Sequence, residues 1–195
     1  HALQRLELGG LILRRQGAQA KVISRHKPRK FSQSFNSPAD ILRYPRDTYR
    51  TNLLEEYIEA DIATSKLLGV AEGSSWYHIG GIRKQKGSEQ IIAWTDIYIL
   101  PQFASLTKDP EHTQVMVYEQ IEKKYGARIE RAEVDVYAAA ASPIISKRLG
   151  IEPNASCLVI IRRYFDDQDK LFEVTVTHHP ENKYKYSMEF KASSE

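Results

Sequence analysis

The stretch 171–179 carries the most suggestive side chains in the sequence. On a strand, Phe172, Val174 and Val176 fall on one face and Glu173, Thr175 and Thr177 on the other, with His178 and His179 at the end. A strand divided in this way packs one face and turns the other to water or to a ligand. Glu133 and Asp135 on a second extended stretch, Asp96 and Tyr98 on a third, and the cations Arg83 and Arg162 complete a polar set. If these faces converge they suit a small polar or anionic molecule, because a guanidinium offers a planar fork to carboxylate or phosphate. Ordinary solvent is the competing occupant.

Other chemistry finds little support. The sequence has no G-x-x-x-x-G-K-[ST] loop, no G-x-G-x-x-G, no G-x-S-x-G and no H-E-x-x-H. Adjacent His178 and His179 point to opposite faces of a strand and do not grip one ion together, so neither a metal nor another cofactor is expected. Glu133 with Glu173 makes only a weak acid and base pair, and hydrolysis is not expected. Cys157 lies in an apolar run and reads as a buried residue rather than a nucleophile.

The elements that position these groups follow from periodicity. A helix over 61–68 stops at Gly69, and a second begins at Ser142-Pro143, with an N-cap and a first-turn proline, and stops at Gly150. The stops lie 81 positions apart, and Ser65-Lys66-Leu67-Leu68-Gly69-Val70 aligns with Ser146-Lys147-Arg148-Leu149-Gly150-Ile151. Each helix is followed by a hairpin: strands 76–84 and 91–100 about a turn at 86–88, and strands 157–165 and 171–179 about a turn at 166–169. The spacing predicts an internal duplication of a helix plus hairpin, giving a pseudo-twofold sheet. Between the copies, Val117, Tyr118, Ile121 and Tyr125 stripe a helix over 112–125 closed by Gly126. After it, 129–138 alternates Ala132, Val134 and Val136 with Glu133, Asp135 and Tyr137, a strand with one apolar face. The expected class is α+β, with a mainly antiparallel sheet and flanking helices.

At 195 residues the chain is long enough for one full domain and a fragment, and its 42% hydrophobic and 27% charged content argues against disordered, collagen-like and coiled-coil classes. No apolar run approaches a membrane span, no signal peptide opens the chain, and one cysteine forms no internal disulfide, so a reducing cytoplasm is expected. The net charge of +3 hides an asymmetry: residues 1–30 hold eight Lys or Arg against Glu7 alone, while the remainder is acidic by four charges. A basic arm on an acidic body points to a polyanion partner at one end, against the alternative of a solvated linker.

That arm carries a resemblance. Leu6-Glu7-Leu8-Gly9-Gly10-Leu11-Ile12-Leu13-Arg14-Arg15-Gln16-Gly17 resembles the end of the recognition helix and the wing of a GntR-family winged helix-turn-helix, with 11–15 and 20–23 forming a small hairpin about Gly17. The remainder resembles the effector-binding UTRA domain of the HutC subfamily, on Ser34-Phe35 after the basic linker, Leu68-Gly69, Arg83, Ile97 through Pro101, Tyr125-Gly126, Leu149-Gly150-Ile151, Arg162, Phe172-Glu173 and His179 through Tyr184. The domains expected are 1–26 for the winged-helix end, 27–37 for a linker and 38–195 for UTRA.

The resemblance implies a bacterial transcription regulator, usually a repressor and a homodimer, in which a metabolite bound to the C-terminal domain alters operator affinity. It implies a fold like chorismate lyase, and effector contacts at Ser34, Phe35, Arg83, Glu133, Glu173 and His179; Asp96, Asp135 and Thr175 join them from the faces described above. Arg5, Arg14, Arg15, Gln16 and Gly17 would meet DNA, the wing tip entering the minor groove. Gly81 stands where many relatives carry another arginine, His179 where many carry tyrosine, and Gln19 replaces a second wing glycine. The resemblance starts inside the winged helix, so this chain alone is not expected to bind DNA specifically. Two alternatives remain open: a lyase-like enzyme in which Arg83 binds a carboxylated substrate and Glu133 or Glu173 is the acid, and a bare dimerisation module.

Overall fold

A computed structural model describes residues 48–188 and three short strands before them. The chain forms two compact units, 1–31 and 32–195. In the first, β1 (Ile12–Leu13) pairs antiparallel with β2 (Lys21–Val22), and the register Ile12 to Val22 and Leu13 to Lys21 puts residue 17 midway along the connecting sequence. The rest of the expected winged-helix segment, residues 27–30 and 36–37 of the expected linker, residues 38–47 and the tail after 188 lie outside the described residues. β3 (Phe31–Phe35) pairs with the last strand, β10 (Tyr184–Met188).

Six strands make the main sheet: β4 (Thr48–Glu59), β5 (Ser75–Gln85), β6 (Ile91–Ile99), β7 (Arg131–Ala140), β8 (Ser156–Phe165) and β9 (Leu171–Pro180). Their order is β4-β5-β6-β9-β8-β7 and every pairing is antiparallel. Three α-helices join them, α1 (Ile62–Leu68), α2 (Val117–Tyr125) and α3 (Pro143–Leu149), with a 3-10 segment at Pro101–Lys108.

That strand order reads as two copies of β-α-β-β meeting at the central β6–β9 pair. The copies share their hydrogen bonds at an offset of 81. Asp61 Oδ1 accepts from the Thr64 amide at 2.7 Å, as Ser142 Oγ accepts from the Ile145 amide at 3.3 Å, so two different side chains cap the same helix. Gly69 and Gly150 both close their helices in the left-handed region, at φ 75° and 63°. The Gly73 amide donates to Ala60 O at 2.8 Å and the Asn154 amide to Ala141 O at 3.1 Å, again from left-handed backbone, a conformation open to Gly and Asn. The repeated unit is therefore longer than helix plus hairpin: it includes the strand before each helix, so that β4 answers β7.

Both faces of the sheet are covered. On one, Leu68 of α1 packs with Trp76, Tyr98, Val159, Val174 and Val176, and Ile145 and Leu149 of α3 pack with Trp94 and Cys157. On the other, Val117, Tyr118 and Ile121 of α2 join Phe103, Leu106, Ile97, Ile99 and Tyr164. Arg163 fastens β8 to α1, donating to Leu67 O and Leu68 O at 2.9 Å each.

Several expectations change in detail. The helix expected over 112–125 begins at Val117, because Met116 has extended backbone and 109–115 form successive turns. Tyr125 is half-exposed, its hydroxyl 2.7 Å from that of Ser105. Phe172 leaves the face of Val174 and Val176, since the β8–β9 register shifts between Tyr164 and Phe165, and it packs in the α2 cluster. β7 lies at the sheet edge, where Val136 and Tyr137 are both exposed. Cys157 is buried, and burial pushes its thiol pKa up.

Candidate functional site

The face of β9 that carries Glu173, Thr175 and Thr177 is not solvated: their exposures are 1%, 5% and 0%. They line a narrow cleft under α2 with Arg50 of β4, Arg83 of β5, Thr95 and Ile97 of β6, Arg162 and Tyr164 of β8, and Met116 and Val117. Strand register assembles the group. Arg50 pairs across the ladder with Arg83, Thr95 with Thr177, and Arg162 with Thr175, so alternate residues from five strands share one face.

Three guanidinium groups and a carboxyl are therefore buried together, with Arg50 and Arg162 each 2% exposed and Arg83 6%. Removing an ion from water costs of order several kcal/mol, which favours neutral forms and close partners. Arg83 Nη1 donates to Thr48 Oγ1 at 3.0 Å. Arg50 donates from Nε to Asn52 Oδ1 and from Nη2 to the His112 carbonyl, both at 2.8 Å. Burial lowers the Arg50 pKa to about 10, and Arg83 lowers it further, while Glu173 and Glu55 act against that shift. Burial raises the Glu173 pKa to about 8, with Arg50 pulling it back. Among the described residues, Glu173 Oε2 and Thr175 Oγ1 have no hydrogen-bond partner. Buried polar atoms are nearly always satisfied, so two orphans lining one cleft set it apart from an ordinary apolar core.

His179 is fully buried, with Nδ1 3.2 Å from Ile92 O and its ring stacked on Tyr184 at 3.7 Å. Burial depresses its pKa to about 3, with Arg162, Arg83 and His178 adding to the shift, so the ring is neutral at neutral pH. His178 looks the other way: burial lowers its pKa and Arg148 adds to the shift, while Asp96 acts against it.

The remaining sequence-derived candidates lie elsewhere. Asp96 faces the opposite side of the sheet, accepting from Trp94 Nε1 at 2.8 Å and lying 2.9 Å from His78 Nε2 and 3.5 Å from Arg148. Glu133 and Asp135 sit exposed on edge strand β7, pairing with Arg131 and Arg163. Ser34 and Phe35 belong to β3 and their side chains lie outside the described set, as do Arg5, Arg14, Arg15, Gln16 and Gly17 entirely. The structure thus brings together Arg83, Glu173 and Thr175, adds Arg162 from the wider polar set, and supplies Arg50, which residue types alone do not single out. A signal for Arg50 does exist: carrying the 81-residue repeat back from β7 marks 50–59 as a strand beside Arg83.

Among the described residues, no group of three His, Cys, Asp or Glu side chains is placed to hold a metal, and no helix is long and apolar enough to cross a membrane.

The described residues thus form an antiparallel sheet covered on both faces, with charged side chains gathered in a cleft on one of them. The chain belongs to the UTRA domain family, whose family model matches residues 46–185. The HTH-type transcriptional regulator Rv0792c of Mycobacterium tuberculosis is 29% identical over 113 residues, 54% of this chain; the match spans 40% of that regulator's length. Among solved structures, PhnF from Mycobacterium smegmatis superposes with a TM-score of 0.72 at 17% identity, covering 98% of this chain and 83% of that one. The C-terminal domain of the histidine utilization repressor from Pseudomonas syringae pv. tomato gives 0.63 at 18% identity, covering 74% of this chain and 99% of that one. The chain thus carries a UTRA domain, and two of the proteins it is similar to are named as a transcriptional regulator and a repressor.

Proposed function

We propose that this chain is the sensing part of a bacterial repressor, and that the cleft between β9 and α2 binds a small anionic metabolite. The convergence of Arg50, Arg83 and Arg162 on the buried, unsatisfied Glu173 carboxyl carries this reading. In it, the arginines take the anionic end of the ligand as charge-assisted hydrogen bonds, and Glu173 with Thr175 takes a hydroxyl or amine at the other end. Binding shifts the population of a homodimer between states of different operator affinity, with the basic N-terminal arm as the DNA-facing part. Asp96, Glu133 and Asp135 stand outside the ligand's reach in this arrangement, and His179 follows Thr177 on the same face of β9.

A thermal-shift screen tests the reading, using small carboxylic acids, phosphate esters and urocanate on the chain and on Arg83→Ala and Glu173→Ala. A ligand at about 100 times its Kd stabilises by roughly 2.7 kcal/mol. The expected result is a stabilising anion whose effect is lost in both variants and which is recovered chemically unchanged. Silence across the panel, or a hit indifferent to both substitutions, contradicts it.

A further inference from the structure

The cleft is nearly shut: its free volume is about 10 Å³, room for roughly one water. Any metabolite larger than that must displace a wall. The strand walls are fixed by ladder hydrogen bonds across the sheet. The remaining wall is Val117, at the start of α2, and Met116, the end of the strap 109–116 that leads from the 3-10 segment into α2. The outer side of the strap borders an open surface groove lined by Glu111, His112, Val115, Gln120 and Lys123, so it has space to swing outward.

Side chains hold the strap from opposite sides, and at its start Lys124 of α2 also pairs with Asp109 at 3.1 Å. Gln120 Nε2, on α2, donates to His112 O at 3.0 Å and to Val115 O at 2.9 Å. From inside, Arg50 Nη2 donates to the same His112 carbonyl at 2.8 Å, and the Arg50 amide donates to Thr113 O at 3.1 Å. Arg50 thus both lines the cleft and bonds the strap backbone through its side chain.

We propose that Arg50 is a positioning residue that latches the 109–116 strap over the cleft, and that ligand entry requires its guanidinium to exchange the His112 carbonyl for the ligand's anionic group. This rests on the reading of the cleft as an anion site. An anionic oxygen is a stronger acceptor for a guanidinium than a neutral carbonyl, so the exchange is favourable once the ligand is inside. It converts occupancy of a buried cleft into movement of a surface segment. Gly81 belongs to the same device: a Cβ there would lie 3.2 Å from Arg50 Cγ and 2.5 Å from Thr51 O, so glycine keeps the space through which Arg50 turns inward.

The test needs no ligand. Thr175→Cys places a thiol in the cleft at a hydroxyl with no hydrogen bond to lose, and its alkylation by neutral iodoacetamide, followed by peptide mass, reads how often the cleft opens. Thr95→Cys gives a second reporter on the adjacent strand should the first fail to fold. Alkylation is expected to be slow in Thr175→Cys, roughly tenfold or more faster when Arg50→Gln is added, and slow again with Arg50→Lys, which keeps a charged donor. Adding Gln120→Ala instead also speeds it, although that change leaves the charges of the cleft intact. Cys157, buried on the other face, stays unlabelled throughout. An unchanged rate in Arg50→Gln or Gln120→Ala overturns the latch, and so does parallel labelling of Cys157, which would mean general loosening. If the latch opens as described while no anion stabilises the chain, the latch stands and the anion reading falls. A stabilising anion with no change in alkylation overturns the latch and leaves the anion reading intact.

Discussion

Glu173 carries a large electrostatic cost in the cleft. Its carboxyl sits on a central strand with 1% exposure, and its pKa of about 8 means that the neutral acid predominates at neutral pH. A carboxyl held above its unfolded value of 4.5 contributes stability that is complete below that pH and is lost as the pH rises through about 8. Glu173→Gln removes the titration while keeping the size. The expected outcome is that the melting temperature of the wild-type chain falls relative to that of Glu173→Gln between about pH 4.5 and 8 and the gap then levels off; parallel curves contradict the assignment. His179 works in the opposite sense. Its depressed pKa makes its contribution present above about pH 6.5 and lost as the pH falls towards 3, so comparison with Glu173→Gln separates the two groups.

At the scale of elements, a single β-α-β-β unit used twice explains both the palindromic strand order and the burial of β6 and β9, which lie where the copies meet. Much of this is legible in the sequence. The matched Leu-Gly stops and the alternating hairpin strands mark two helices, four strands and their antiparallel pairing, because local caps and period-two patterns decide those features. β4 is not legible from its own residues: an edge strand with Leu53 and Tyr57 exposed keeps no clean alternation, and only the repeat betrays it. Periodicity misplaces the start of α2 because the turns before it carry no glycine and their one proline, Pro110, precedes the expected start. The two copies also allow a paired test of helix capping. Ser142→Ala is expected to cost about 1 kcal/mol at any pH. Asp61→Ala is expected to destabilise at about pH 7 and progressively less as the pH falls below 3.8, because the bond from the Thr64 amide holds the Asp61 carboxyl below its usual range and that advantage is lost on protonation. Urea midpoints across that pH range check both; equal pH dependence for the two variants would contradict the cap assignment.

In the whole molecule, charge is divided between the basic first thirty residues and an acidic remainder whose interior nevertheless collects three arginines on one face. Residue types alone mark Arg83, Arg162, Glu173 and Thr175 as suited to a polar ligand, and do not separate them from Asp96, Glu133 and Asp135. That separation depends on which sheet face each residue takes and on whether its strand is central or at an edge, both of which are set by long-range pairing. The central claim is that the cleft between β9 and α2 receives a small anion. The most direct measurement is a crystal structure of the chain grown with the metabolite that stabilises it best. The account predicts ligand density between Arg83, Arg162 and Glu173, with the Arg50 guanidinium turned from the His112 carbonyl to the ligand. A stabilising metabolite bound on the opposite face near Asp96 and Arg148, or at the sheet edge, would contradict it.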